Sequence, residues 1–511
     1  MKFKKIIAII LVVGATLGSF VGCGLATSQE NGGKDVAVTS NQNKEYKKPK
    51  YIFTFIGDGM ASVQLNSARV FLGSKESKKI KTGKLTVDSF PIVGSMTTQD
   101  STSFAPDSAS TATAMSSGYK THSGVIGLKD DKESKEESIT ELLKKEGKKI
   151  GIVSSVSIDH ATPAAFYAHT PSRGNMYDIA LQLADSNFDY FAGGSLAQSK
   201  GKDNNEKDAF GIIKEKGYTI TENKEDFNSL NENSGKIYAI SDELQDSNAM
   251  AYNIDKKEDS LGLDDFVKKG IQVLDNDNGF FMMVEGGKID WAGHANDAMT
   301  NIKETLALDE AIKVAFDFYK EHPDETLIIV TGDHETGGMT IGQATTGYDT
   351  AFNILDNQKM SYVEFDELLN KEKEKNKNLT LKDVLPIIKE KFGLIAKSDK
   401  DSNKKEMENL VLTDYEYKKL ENAFKETIKS EEERNKVKDD EEQVFLYGGY
   451  EPLTVTLTHI MNNKAGIGWT SYSHTGVPVP VYAIGEGSSE FTGFYDNTDI
   501  YNKLVKISGI K

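Results

Sequence analysis

Five short runs of apolar residues punctuate the chain: Tyr51–Ile56, Ile150–Val153, Phe280–Val284, Leu327–Val330 and Val479–Ile484. Runs this short, almost unbroken by polar positions, predict strands buried on both faces. Between them lie stretches with apolar residues at helical spacing, such as Glu137–Glu146 and Ile302–Glu321. The alternation predicts an α/β fold in which a mostly parallel central sheet carries helices on both faces. Between about 350 and 445 the pattern changes. Charged segments (Lys371–Lys375, Glu431–Arg434) flank apolar positions at helical spacing, Val384, Ile387, Ile388 and Phe392. We read this stretch as a charged helical insertion packed on the main sheet, with a solvated outer face and no chemistry of its own.

The residues just past the apolar runs point to a site. The first run ends at Asp58, the third at Glu285 and the fourth at Asp333-His334. In open parallel sheets ligands bind beyond the carboxyl ends of the strands. Acids and glycines commonly end strands, so no single case carries weight, but three acids at one sheet edge do. Pro106–Ala114 adds Ser108 followed by small residues at an expected helix start, where free N–H groups favour an anion. Taken alone, the segment reads more readily as a small-residue helix with a capping serine. Asp290 and His294, four apart, share one face of a helix and could share a metal. Asp333-His334 gives a second oxygen–nitrogen pair, and His474 a further imidazole. Imidazole with carboxylate suits zinc, whereas an all-oxygen set suits magnesium.

The first residues have another origin. Lys2, Lys4 and Lys5 precede the apolar Ile6–Val13, and small residues lead to Phe20-Val21-Gly22-Cys23. This reads as a secretory signal over 1–22 resembling that of a bacterial lipoprotein, with Cys23 lipidated; a retained apolar anchor is the alternative. Residues 23–49, rich in Gly, Ser, Asn, Gln and Lys, read as a flexible tether, and 50–511 as the catalytic body. The expected location is therefore extracytoplasmic, at a bacterial membrane or cell surface. Cys23 is the only cysteine, so no internal disulfide can form. Losing residues 1–22 takes the formal charge from −17 to −20, because three lysines and no acid depart. That balance argues against a nucleic-acid partner.

Taken together, these segments resemble the alkaline phosphatase family, in order from Tyr51 to about Ile484, apart from the insertion. The resemblance implies a phosphomonoesterase with two zinc ions and one magnesium, acting through a phosphoserine on Ser108. Carried over, Asp290, His294 and His474 would hold the first zinc. Asp58, Asp333, His334 and the Ser108 oxygen would hold the second, with Asp58 bridging to a magnesium also held by Thr162 and Glu285. Arg173 would grip the substrate phosphate and Asp107 would orient it. His160 and Trp291 would stand beside the magnesium site, where some members carry an aspartate and a lysine. The resemblance further implies a broad range of phosphate monoesters, an alkaline optimum, and a homodimer that the insertion could alter.

Other readings fit less well. His169-Thr170-Pro171-Ser172-Arg173 nearly spells a sulfatase signature, but His169 cannot become its nucleophile. A phosphodiesterase on the same fold is the nearest alternative; Ser108 and Arg173 favour monoesters. A binding lipoprotein that lost catalysis would show an eroded ligand or nucleophile, and none is missing. His122, His169, His322 and His459 have no place in the pattern.

Overall fold

The computed structural model describes residues 47–76 and 80–510. The expected signal, Cys23 and residues 24–46 of the expected tether lie outside the described residues. Among the described residues, no helix is long and apolar enough to cross a membrane.

Ten strands form the central sheet: β1 (Tyr51–Gly57), β2 (Ile92–Thr97), β3 (Lys149–Ser154), β4 (Tyr190–Gly193), β5 (Tyr218–Thr221), β6 (Lys236–Ile240), β7 (Phe280–Gly286), β8 (Thr326–Gly332), β9 (Val479–Gly485) and β10 (Gly493–Asp496). Their spatial order is β10-β2-β9-β8-β1-β7-β3-β4-β6-β5. β9 alone runs antiparallel to its neighbours β8 and β2. The expected α/β fold with a mostly parallel sheet is therefore present. β1 sits between β7 and β8, and every one of its residues is buried. Its side chains alternate between two cores: Tyr51, Phe53 and Phe55 join one face, Ile52 and Ile56 the other. Burying one such Phe or Ile side chain contributes about 1.5–3 kcal/mol, so the central strands carry much of the core's stabilisation.

The register of these strands places the site. Gly57 of β1 lies level with Gly286 of β7 and Gly332 of β8. The three strands thus end at one height, and Asp58, Glu285 and Asp333 arrive there together. Glycine is required at that level, because a Cβ on Gly332 would stand 2.0 Å from the Met60 carbonyl oxygen. Asp58-Gly59-Met60 folds across the end of β8, and Gly59 takes φ +70° to do so.

Residues 352–447 are largely helical, with Tyr362–Lys375, Leu381–Phe392, Asp414–Thr427, Glu431–Val437 and Glu441–Tyr447 as α-helices. Phe365, Val384, Ile388, Phe392 and Leu420 build an apolar cluster separate from the two sheet cores. That cluster is closed by Leu453, Leu457, Ile460 and Met461 of the helix Pro452–Ala465. The charged segment therefore rests on this helix rather than directly on the strands, and its core extends past residue 445. Buried Asp297, which caps the helix Ala298–Glu321, ties it down by accepting from Gln358 Nε2 at 2.8 and 3.0 Å and from the Tyr362 N–H at 3.1 Å.

Candidate active site

Ser108 opens the helix Ser108–Ser117, and Asp107 caps it by accepting from the Ser110 N–H. Every residue of this helix is buried, which its Ser, Ala and Thr side chains allow by letting it press close to its surroundings. Ser108 is 1 % exposed. Its Oγ lies 3.2 Å from His334 Nε2 and 3.5 Å from Asp58 Oδ1. One turn on, the Thr111 hydroxyl donates to Asp333 Oδ2 at 3.1 Å. Asp333 also accepts from the Gly59 and His334 N–H groups, so the strand-end turns fix both its position and that of His334.

Three groups of ligating side chains meet here: Asp290 with His294 and His474, Asp58 with Asp290 and His334, and Asp58 with His160 and Glu285. In the first, the His294 and His474 Nε2 atoms face each other at 3.0 Å, while Asp290 lies 3.4 and 3.5 Å from them. Both rings are oriented from behind. His294 Nδ1 lies 2.6 Å from the Tyr472 carbonyl and His474 Nδ1 2.5 Å from that of Pro106. A carbonyl can only accept, so Nδ1 carries hydrogen in each ring and Nε2 is turned inward. Asp333 is absent from the second group but adjoins it, its Oδ2 lying 3.3 Å from His334 Nε2. At the third, the Thr162 hydroxyl donates to Asp58 Oδ2 at 3.3 Å. Ser154 donates to Glu285 Oε2, leaving Oε1 buried without a hydrogen-bonding partner.

The electrostatics of this cluster are those of crowded carboxylates. Burial, then the charges of Asp333, Asp290 and Glu285, push Asp58 well above the usual carboxylate range. Burial pushes Glu285 up to about 8, with Asp333 adding to it, and Asp333 itself up to about 6. Asp290 goes the other way: despite burial, His294 and His474 hold its carboxyl well below the usual range. Protons relieve this crowding in the metal-free fold, and cations among the oxygens would relieve it as well.

Arg173 forms the upper wall. Its Nη1 donates to Asp107 Oδ2 at 2.9 Å, and its Nη2 lies 3.1 Å from His160 Nε2. Burial and the Arg173 charge push His160 down to about 3, so its ring is neutral and accepts from the guanidinium. Trp291, half-buried, meets the His160 ring edge-on at 5.8 Å. The side chains singled out from the sequence thus lie within one network of contacts at the sheet edge. Three of the four set-aside histidines have partners elsewhere: His169 between Gly127 and Glu141, His459 on Asn296, His322 against Tyr51 and Phe318.

The sequence profile described as alkaline phosphatase matches residues 49–510. The chain belongs to the alkaline phosphatase family. Alkaline phosphatase 3 of Bacillus subtilis (strain 168) is 32 % identical over 467 residues, covering 89 % of this chain and 88 % of that protein. A cold-active alkaline phosphatase from a psychrophilic Shewanella sp. superposes with TM-score 0.71 at 26 % identity, covering 90 % of this chain and 99 % of that one. A variant of the TAB5 alkaline phosphatase, with a histidine replaced by glutamate and magnesium bound in its M3 site, matches at TM-score 0.60 and 28 % identity over 91 % of this chain and 99 % of that one. This chain is accordingly an alkaline phosphatase, a phosphoric monoester hydrolase of a metal-dependent family.

Sequence reasoning passed over one residue in the centre of the site. The Thr336 hydroxyl donates to Asp290 Oδ1 at 2.5 Å and lies 3.3 Å from His334 Nδ1, touching two of the candidate metal ligands. A signal was present: Thr336 is two residues beyond His334 in an extended segment, where alternate side chains share a face.

Proposed function

We propose that this alkaline phosphatase hydrolyses a broad range of phosphate monoesters through a phosphoserine on Ser108. The observation that carries the reading is the placing of Ser108 Oγ. It stands at a helix start, 3.2 Å from His334 Nε2, with the neighbouring Asp107 holding the Arg173 guanidinium. Metal ions fit the residues present. Two inward-facing Nε2 atoms 3.0 Å apart, the partnerless buried Glu285 Oε1 and the crowded carboxylates are each relieved by a cation. Asp290, His294 and His474 suit one zinc; Asp58, Asp333, His334 and Ser108 Oγ suit a second; Asp58, Thr162 and Glu285 suit magnesium. When bound, such ions supply Lewis acidity that favours the serine alkoxide and offsets charge on the departing oxygen.

The chain's own groups do the rest. Ser108 Oγ attacks phosphorus in line, forming the Oγ–P bond as the ester P–O bond breaks. Arg173 presents a planar pair of donors to the equatorial oxygens, and Asp107 keeps that plane from turning. N–H groups of the first helical turn favour the same anion. Water then cleaves the Oγ–P bond, releasing phosphate and restoring the hydroxyl. Because the leaving alcohol needs no recognition for this chemistry, the range of esters is broad, with an alkaline optimum. We place the reaction outside the cytoplasm, with the chain tethered by a lipid on Cys23 and assembled as a homodimer.

Ser108→Ala tests the reading. The variant should fold and bind metal while losing nearly all hydrolysis of p-nitrophenyl phosphate and all acid-stable phosphate labelling. Turnover near that of the unaltered enzyme would refute the nucleophile.

A further inference from the structure

The group Asp290, His294 and His474 is assembled from two pieces of chain far apart in sequence, and one buried side chain joins them. Asp290 and His294 come from the helix Lys288–His294. His474, and the Tyr472 carbonyl that orients His294, come from the segment after Ile467–Gly468. Asn296, 2 % exposed, stands between the two. Its Nδ2 donates to the carbonyls of Gly293 and Ser471, each at 2.9 Å. Gly293 directly precedes His294, and Ser471 directly precedes Tyr472. One planar NH2 group therefore fixes the spacing between the helix end that presents His294 and the carbonyl that aims its ring.

Asn296 is itself held from behind. Its φ of +49° lies in the left-handed region, which asparagine enters more readily than most side chains. Its backbone carbonyl accepts from buried Asn462 Nδ2 at 2.7 Å, and its Oδ1 faces His459 Nε2 at 3.1 Å. With both amide hydrogens aimed at carbonyls, Oδ1 can only accept, so His459 carries a hydrogen on Nε2. Burial pushes His459 down to about 4, so the ring is neutral and that N–H is its only one. The same ring stacks on that of Tyr472 at 5.8 Å. His459 and Asn462 both belong to the helix Pro452–Ala465, which makes that helix a fixed support for the junction.

We infer that Asn296, held by His459, is a positioning residue for the zinc site of Asp290, His294 and His474, setting the separation of its two histidines before the ion binds. This role rests on the metal reading given above and extends it to two residues that touch no ligating atom. It also gives His459 a part in the site.

Titration of the metal-free protein with zinc against a chromogenic chelator, following both equivalents per chain, tests the role. Asn296→Gly keeps the positive φ and removes the amide. It should weaken by about tenfold the one equivalent that His474→Ala abolishes, while the other keeps its affinity. His459→Phe, which keeps the stack on Tyr472 and loses the N–H, should weaken the same equivalent by about threefold, as for one modest neutral hydrogen bond. His459→Gln, which returns a donor near the place of Nε2, should restore it. Unchanged affinity in both Asn296→Gly and His459→Phe would overturn the role, and so would equal weakening of both equivalents, the mark of a general loosening. Amide exchange over residues 469–474 of the metal-free proteins, read by mass spectrometry, should quicken in Asn296→Gly and hold steady in β1 and β7; unaltered exchange over 469–474 counts against the role. If Asn296→Gly fails to fold, the two His459 variants decide. Failure of the unaltered protein to take up zinc would instead strike the metal reading, and the exchange arm would still decide whether Asn296 braces the segment.

Discussion

Thr336→Val removes one hydroxyl and little else. The threonine Cγ2 lies over Gly293, where an added Cβ would stand 3.1 Å from it, and valine keeps a methyl group there. The loss is the 2.5 Å hydrogen bond to Asp290 Oδ1, a carboxylate in a residue 4 % exposed. A hydrogen bond to a charged group contributes about 1.5–3 kcal/mol, and water cannot easily replace it in so dry a place. At about 1.4 kcal/mol per tenfold, zinc affinity at the Asp290–His294–His474 site should fall by roughly 10- to 100-fold. Metal-free protein titrated with zinc against a chromogenic chelator at fixed pH measures this directly. Thr336→Ser should restore affinity, since it returns the donor without the methyl. The thermal midpoint of the metal-free protein should move little, which separates positioning from folding. Equal zinc affinity in Thr336→Val and the unaltered protein would refute the argument.

The same geometry carries further outcomes. His160→Asp should lower the magnesium concentration needed for full activity, because a carboxylate would replace a neutral ring beside Asp58 and Glu285; an unshifted midpoint in a magnesium titration at saturating zinc would count against it. Against burial, Asp290 and the Tyr472 carbonyl push His294 up to about 9 in the metal-free fold. Zinc must displace that proton, so its apparent affinity should climb with pH until about 9, with protons released on binding; a flat profile between pH 7 and 9 would refute this. The same raised pKa stabilises the metal-free fold fully below the unfolded value near 6.5, a contribution lost as pH rises through 9. Cys23→Ser should free the protein from membranes, and an unchanged membrane fraction would point to the uncleaved apolar run as the anchor.

The legible parts of the fold were those where hydropathy is unambiguous. β1, β7 and β8 are buried on both faces, and their runs stand out of the sequence as strands. β4 and β5, four residues each, and β10 at the sheet edge carry too few apolar positions to stand out. The direction of β9 was equally hidden: Val479–Ile484 is an apolar run like those of the parallel strands, because burial and not orientation sets composition. In the site, charged and imidazole side chains announced themselves by type. Thr336 did not, since its role lies in one hydroxyl pointing at Asp290. Nor did the Tyr472 and Pro106 carbonyls, which every residue possesses and only three-dimensional placement makes specific.

The position of β1 governs when the site can come into being. Tyr51 pairs with Phe280 on one side and Thr326 on the other, so the first strand to be synthesised has no sheet partner until more than half the chain has been made. His474 arrives later still, and β9 behind it closes against both β8 and β2. Pairings this distant in sequence fold slowly and leave apolar strand edges uncovered meanwhile. A nascent chain stopped before His474 therefore has an incomplete set of candidate ligands, and one stopped before β9 leaves the edges of β8 and β2 naked, prone to aggregate or to proteolysis. Catalytic competence consequently waits for His474 and β9, and the topology acts as a timer on its appearance.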